Sequence, residues 1–144
     1  MNPTALHLPV RAAKPRRTGL TMVIDGGIGV AHFADLLTSA AEYIDFVKFG
    51  WGTAVVTGVL QDKIAILRGH GIDFYFGGTL FEKYVLQGRF DDFRRFCDGW
   101  SGRHVEVSNG TIPLSNSEKA SYIRKLTGDF TVISEVGYKD PGRS

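Results

Sequence analysis

The chain has 144 residues, 43% of them hydrophobic and 22% charged, the composition of a single soluble globular domain. The net charge of +2 argues neither for nor against a nucleic-acid partner, and none is expected. A single cysteine, Cys97, excludes an intrachain disulfide. No apolar run approaches the ~18 residues that span a bilayer, so no membrane partner is expected. Without an apolar signal core at the N-terminus, the cytoplasm is the simplest location.

Residues 1–18 read as a basic, proline-containing arm ahead of a folded domain over 19–144. The arm has no acidic residue. Arg11, Lys14, Arg16 and Arg17 are able to hold phosphates, although a solvated tail is the simpler reading for most of them. A first strand follows at Leu20–Asp25, ended by Gly26 and Gly27. Helical spacing runs over Val30–Ala41. Tyr43–Gly50 is the second strand, and Val59–Gly71 is a helix closed by Gly71. The third strand is Ile72–Gly78. Two helical pieces, Thr79–Gly88 and Phe90–Trp100, break at Gly88. His104–Gly110 is the fourth strand, Ser115 or Ser117 caps a helix over Asn116–Gly128, and Phe130–Gly137 is the fifth strand.

Alternating strands and helices at this spacing are the pattern of parallel β/α units. The expected class is therefore α/β, with units of a TIM-barrel type that is incomplete at about five strands. The apolar runs are nearly continuous, as in strands covered on both faces, and the inward faces are expected to be rich in Val, Ile and Phe. Right-handed crossovers put all strand C-termini on one face, where such folds bind ligands. Asp25, Lys48, Glu106, Asn109, Glu135 and Lys139 all fall at or just beyond those ends. Gly50, Gly52 and Thr53 in "GWGT", with Gly77, Gly78 and Thr79 in "GGT", are candidate backbone donors to an anion.

Each feature also has an ordinary structural reading. Lys48 suits an ion pair with Asp25 or Glu106, and Trp51 suits core packing. Asp25, Glu106, Asn109 and Glu135 offer the oxygen donors that Mg²⁺ prefers. Lys48 and the glycine amides suit phosphate or carboxylate, and a lysine among carboxylates suits a general acid. The residues point to a small anionic, phosphorylated substrate.

The segments "KPRRTGLTMVID", "YIDFVKFGWGT", "GGTLFE", "VEVSNGT" and "SEVGYKDP", in order from Lys14 to Pro141, resemble the phosphosulfolactate synthase family. The resemblance implies a (β/α)₈ barrel and a carbon–sulfur lyase that adds sulfite to phosphoenolpyruvate with Mg²⁺, on the coenzyme M route. It implies Lys139 as the general acid, Lys48 as a binder of anionic substrate, and Glu106, Asn109 and Glu135 as the metal shell or its supports. Family members commonly read Asp-Lys-Gly and Ser-Asp-Gly where this chain has Asp25-Gly26-Gly27 and Ser108-Asn109-Gly110. Measured against the resemblance, strands six to eight are expected from a homo-oligomer or a partner chain. The alternative expectation is a non-catalytic relative acting in binding or assembly, or one half of a split barrel.

Overall fold

The structure, a computed structural model, describes residues 5–7 and 9–139; the rest of the expected arm and the end of the last motif lie outside the described residues. The elements alternate as expected: β1 (Met22–Asp25), α1 (Val30–Ala40), β2 (Phe46–Phe49), α2 (Leu60–Gly69), β3 (Asp73–Phe76), α3 (Gly78–Leu86), α4 (Phe90–Gly99), β4 (His104–Val107), α5 (Asn116–Leu126) and β5 (Thr131–Ser134). Local chemistry sets several boundaries. Gly71, at φ +62°, turns the chain out of α2. Ser115, not Ser117, caps α5: its hydroxyl accepts from the Glu118 amide while Glu118 accepts from the Ser115 amide. Gly88, at φ +68°, separates α3 from α4.

All strand pairs are parallel, but they form two sheets, β1–β2–β3 and β4–β5, where one five-stranded sheet was implied. At the seam, side chains replace the ladder. Arg103 pairs with Asp73 of β3, and His104 Nδ1 lies 3.9 Å from the same carboxylate.

Side-chain alternation divides each strand between two surroundings. Val47, Phe49, Phe74, Phe76, Val105 and Val107 join helical Phe33, Leu37, Leu67, Phe81, Phe93 and Leu126 in one buried core. Each such side chain contributes roughly 1.5–3 kcal/mol by burial. The opposite face corrects the expectation of an inward surface rich in Val, Ile and Phe. It carries Met22, Ile24, Phe46, Lys48, Tyr75, His104 and Glu106, and Met22 and Ile24 stand 42% and 45% exposed. Most of the Val and Phe serve the helix side, and the opposite, concave side mixes Met22, Ile24, Phe46 and Ile133 with the polar groups.

The arm is tied down where it is described. Arg11 and Arg16 both pair with Asp45, just before β2, and Lys14 Nζ donates to Ala41 O at 2.7 Å. This anchorage is at the strands' N-terminal end, opposite the decorated ends. Among the described residues, no helix is long and apolar enough to cross a membrane.

Candidate functional site

Lys48 is the third residue of β2, so alternation points it into the concave side, in register with Ile24 and Tyr75. Glu106, third in β4, points the same way. Glu135, one residue past β5, keeps the parity of Ile133, which is in register with Glu106. These positions place Lys48 Nζ 2.7 Å from Glu106 and 3.3 Å from Glu135. Lys139 Nζ stands 3.7 Å from Glu135 on the exposed side. The partners of Lys48 are thus Glu106 and Glu135; Asp25 is not one of them.

Asp25 has the opposite parity and lies on the helix side. It pairs with buried Lys63 of α2 at 2.6 Å and accepts the amides of Gly27 and Ile28, which fixes the β1–α1 turn. The Asn109 amide donates to Leu114 O and Asn116 Oδ1, at the start of α5. The four candidate oxygen donors are therefore not assembled as one set; Glu106 and Glu135 alone meet.

The glycines act by allowing close approach. A Cβ on Gly77 would sit 2.9 Å from Lys48 Cε, and one on Gly78 would sit 2.2 Å from Ser108 Oγ. Gly78 N, at the start of α3, donates to Glu106 Oε1 at 2.6 Å. Gly77 N donates to Phe49 O, Gly50 N to Asp25 O, and Thr53 N to Gly50 O, so these amides are engaged within the chain. Gly52, at φ +72°, begins the short turn that contains Thr53, and Thr79 follows Gly78 in the first turn of α3. Trp51 is not core: it is largely exposed, and its indole covers Gly26, where an added Cβ would come 2.8 Å from the ring.

Four contributors escaped the sequence reading. Tyr75, in register with Lys48, is buried on the same face, and burial, then the charges of Glu106 and Glu135, push its ionisation well above the ordinary range. Lys119 of α5 donates to Glu135 O. Glu82 of α3 is fully buried beneath the Ser108–Thr111 loop. Lys63 holds Asp25. Lys63, Lys119 and Glu82 share a legible signal. Each occupies an apolar-stripe position of its helix, as in Leu60/Lys63/Ile64/Leu67 and Lys119/Tyr122/Ile123/Leu126, where a charge needs a buried partner.

The cluster's electrostatics follow from burial and mutual contact. Burial pulls the Lys48 ammonium down, but the hydrogen bond and charge of Glu106, then Glu135, outweigh it, and its net shift is upward. Burial pushes Glu106 up despite Lys48 and the Gly78 amide. Glu135 goes down, because Glu106, Lys48 and Lys139 together outweigh its own burial. The two carboxyls meet at the Lys48 ammonium, and their ionisation moves in opposite directions, the buried one up and the more exposed one down. Among the described residues there is no group of three or more His, Cys, Asp or Glu side chains able to hold a metal. The Lys48 ammonium already stands between Glu106 and Glu135, so Mg²⁺, which takes one or two carboxylates, would use their remaining oxygens and fill its other positions with water and substrate oxygens.

A family profile described as (2R)-phospho-3-sulfolactate synthase (ComA) matches residues 9–144. The chain belongs to the phosphosulfolactate synthase family. It is 51% identical over 140 residues to the phosphosulfolactate synthase of Bacillus subtilis (strain 168), covering 97% of this chain and 56% of that protein. To the phosphosulfolactate synthase of Methanothermobacter thermautotrophicus it is 37% identical over 146 residues, covering 99% of this chain and 57% of the relative. The corresponding figures for the Methanocaldococcus jannaschii protein of that name are 40% over 128 residues, 87% and 51%. The chain spans about half the length of these curated relatives.

Proposed function

We propose that the chain supplies the acid–base half of a phosphosulfolactate synthase site, which adds sulfite to phosphoenolpyruvate. The carrying observation is Lys48 held between Glu106 and Glu135, with Lys139 at the exposed rim. Sulfite sulfur forms a bond to the methylene carbon, and the displaced π electrons move onto the substrate carboxylate as an enediolate. The Lys48 ammonium faces that charge, kept protonated by its two carboxylates. The Lys139 ammonium then delivers a proton to the carbon bearing the phosphate and is recharged from solvent. Glu106 and Glu135 would hold Mg²⁺, which when bound would neutralise carboxylate charge.

We further infer that the open concave face is closed by a second chain, either a copy of this one or a partner carrying further strands. A second functional reading, a non-catalytic relative kept for binding or assembly, is favoured by the engagement of Asn109 away from the cluster.

The test is phosphoenolpyruvate binding by calorimetry with Mg²⁺ or with EDTA, followed by phosphorus NMR of product after sulfite is added. Tighter binding with Mg²⁺ and formation of phosphosulfolactate are expected. Lys139→Ala is expected to lower kcat by ~10²–10⁴-fold with KM little changed. Binding without product would leave the second reading, and unchanged turnover in Lys139→Ala would remove the lysine from the proton step.

A further inference from the structure

Glu82 is a buried carboxylate that the proposed chemistry does not use. It lies on α3, one turn past Gly78, and accepts from Gly110 N at 2.9 Å, from Thr111 N at 2.7 Å, and from the hydroxyls of Ser108 and Thr111. Those four donors fill the acceptor sites of an ionised carboxylate. Burial raises the carboxyl's ionisation, but Ser108, Thr111 and Gly110 outweigh it, and the net shift is downward. A buried charge compensated only by loop donors fixes where that loop runs, because each displaced donor would leave the carboxylate unsatisfied.

The loop is also the bed of Lys139. Lys139 N donates to Gly110 O at 2.8 Å, the carbonyl of the residue whose amide Glu82 holds. A Cβ on Gly110 would lie 3.1 Å from Gly137 O and 3.7 Å from Lys139 Cγ, so the segment passes directly over this glycine. The segment has a second anchor at Glu135 O, held by Lys119. The helix that seats Glu106 through Gly78 therefore also seats, through Glu82, the segment after β5 that carries Lys139.

We infer that Glu82 is a positioning residue that sets the place of Lys139 through the Ser108–Thr111 loop. The catalytic consequence rests on the reading of Lys139 as proton donor. Glu82→Gln keeps the volume but turns an acceptor into an amide that faces donors. In the full chain, hydrogen exchange of Gly110, Thr111 and Lys139 amides is expected to quicken by ~10-fold or more, with Val105 and Val107 unchanged. Thr111→Val, which replaces one hydroxyl by a methyl group, is expected to give the same pattern more weakly, and it decides the matter if Glu82→Gln does not fold. Lys139 exchange unchanged while Thr111 loosens would overturn the inference, as would uniform quickening across the chain.

In a turnover-competent assembly, the kcat losses of Glu82→Gln and Lys139→Ala are expected not to add, and KM is expected to hold. Additive losses would reduce Glu82 to a stabilising residue. If the unaltered chain gives no turnover in any assembly, the reading of the site fails, and the exchange pattern alone still decides the positioning.

Discussion

At the scale of single residues, the decisive feature is a lysine whose two acids differ in burial. The Lys48 and Glu106 side chains are 13% and 4% exposed, while Glu135 is 34% exposed. Lys48→Met leaves Glu106 without its cation, and removing one partner of a buried pair costs about 3 kcal/mol. The sign of the pH effect follows from linkage. A carboxyl raised in the folded state stabilises the fold where it is protonated, and that contribution is lost as pH rises through its folded value. In Lys48→Met the Glu106 carboxyl moves higher still. The deficit is therefore expected to be largest near neutral pH and to shrink as pH falls toward the ordinary carboxylate range. Lys48 itself is raised, so its contribution is complete below the ordinary lysine value and fades in alkali. Urea unfolding of both proteins at neutral and mildly acidic pH measures the gap; a gap that stays constant would mean that Glu106 is not the group left unpaired.

At the scale of elements, α3 reaches the site closely because it begins with a glycine, Gly78. Gly78→Ala forces a Cβ into Ser108 Oγ and toward Glu106, and overpacking of this kind costs ~1–3 kcal/mol. Gly69, the last residue of α2, has nothing within 4 Å of an added Cβ, so Gly69→Ala is expected to be neutral or to stabilise by up to ~1 kcal/mol. Thermal melting of the two variants should separate in opposite directions. Equal destabilisation would show that helical glycines are tolerated here only for flexibility. The α3 boundary was readable as "GGT", but its purpose was not. The sequence suggested amides offered to a substrate anion; the folded chain gives the Gly78 amide to its own Glu106.

At the scale of the whole molecule, the two sheets leave Met22 and Ile24 exposed beside the charged cluster, and among the described residues the outer strands β1 and β5 each have one strand neighbour, as do β3 and β4 at the seam. Unpaired strand edges beside apolar side chains favour pairing with another chain. Light scattering at low micromolar concentration is expected to show a species larger than one chain, and Ile24→Lys on the concave face is expected to weaken it. A cooperatively melting monomer under those conditions would sink the association proposed above.

The order of β/α units and the glycine punctuation were determined by the sequence alone, which also gathered Asp25, Lys48, Glu106, Asn109, Glu135 and Lys139 at strand ends without separating Asp25 and Asn109 from the other four. The reason is local: strand period, helix period and turn chemistry act over a few residues. Within a strand, parity also separates Asp25 from the parity of Lys48 once the ends are known, but those ends shift by a residue or two and the separation was missed. Only the tertiary structure decided which charges meet. Lys63, Glu82 and Lys119 sit on apolar stripes, which tells that they need buried partners, but only packing names those partners as Asp25, the Ser108–Thr111 loop and Glu135 O. Such pairings span 38, 29 and 16 residues along the chain, and no local pattern encodes a contact whose partner is set by how helices pack on the sheet.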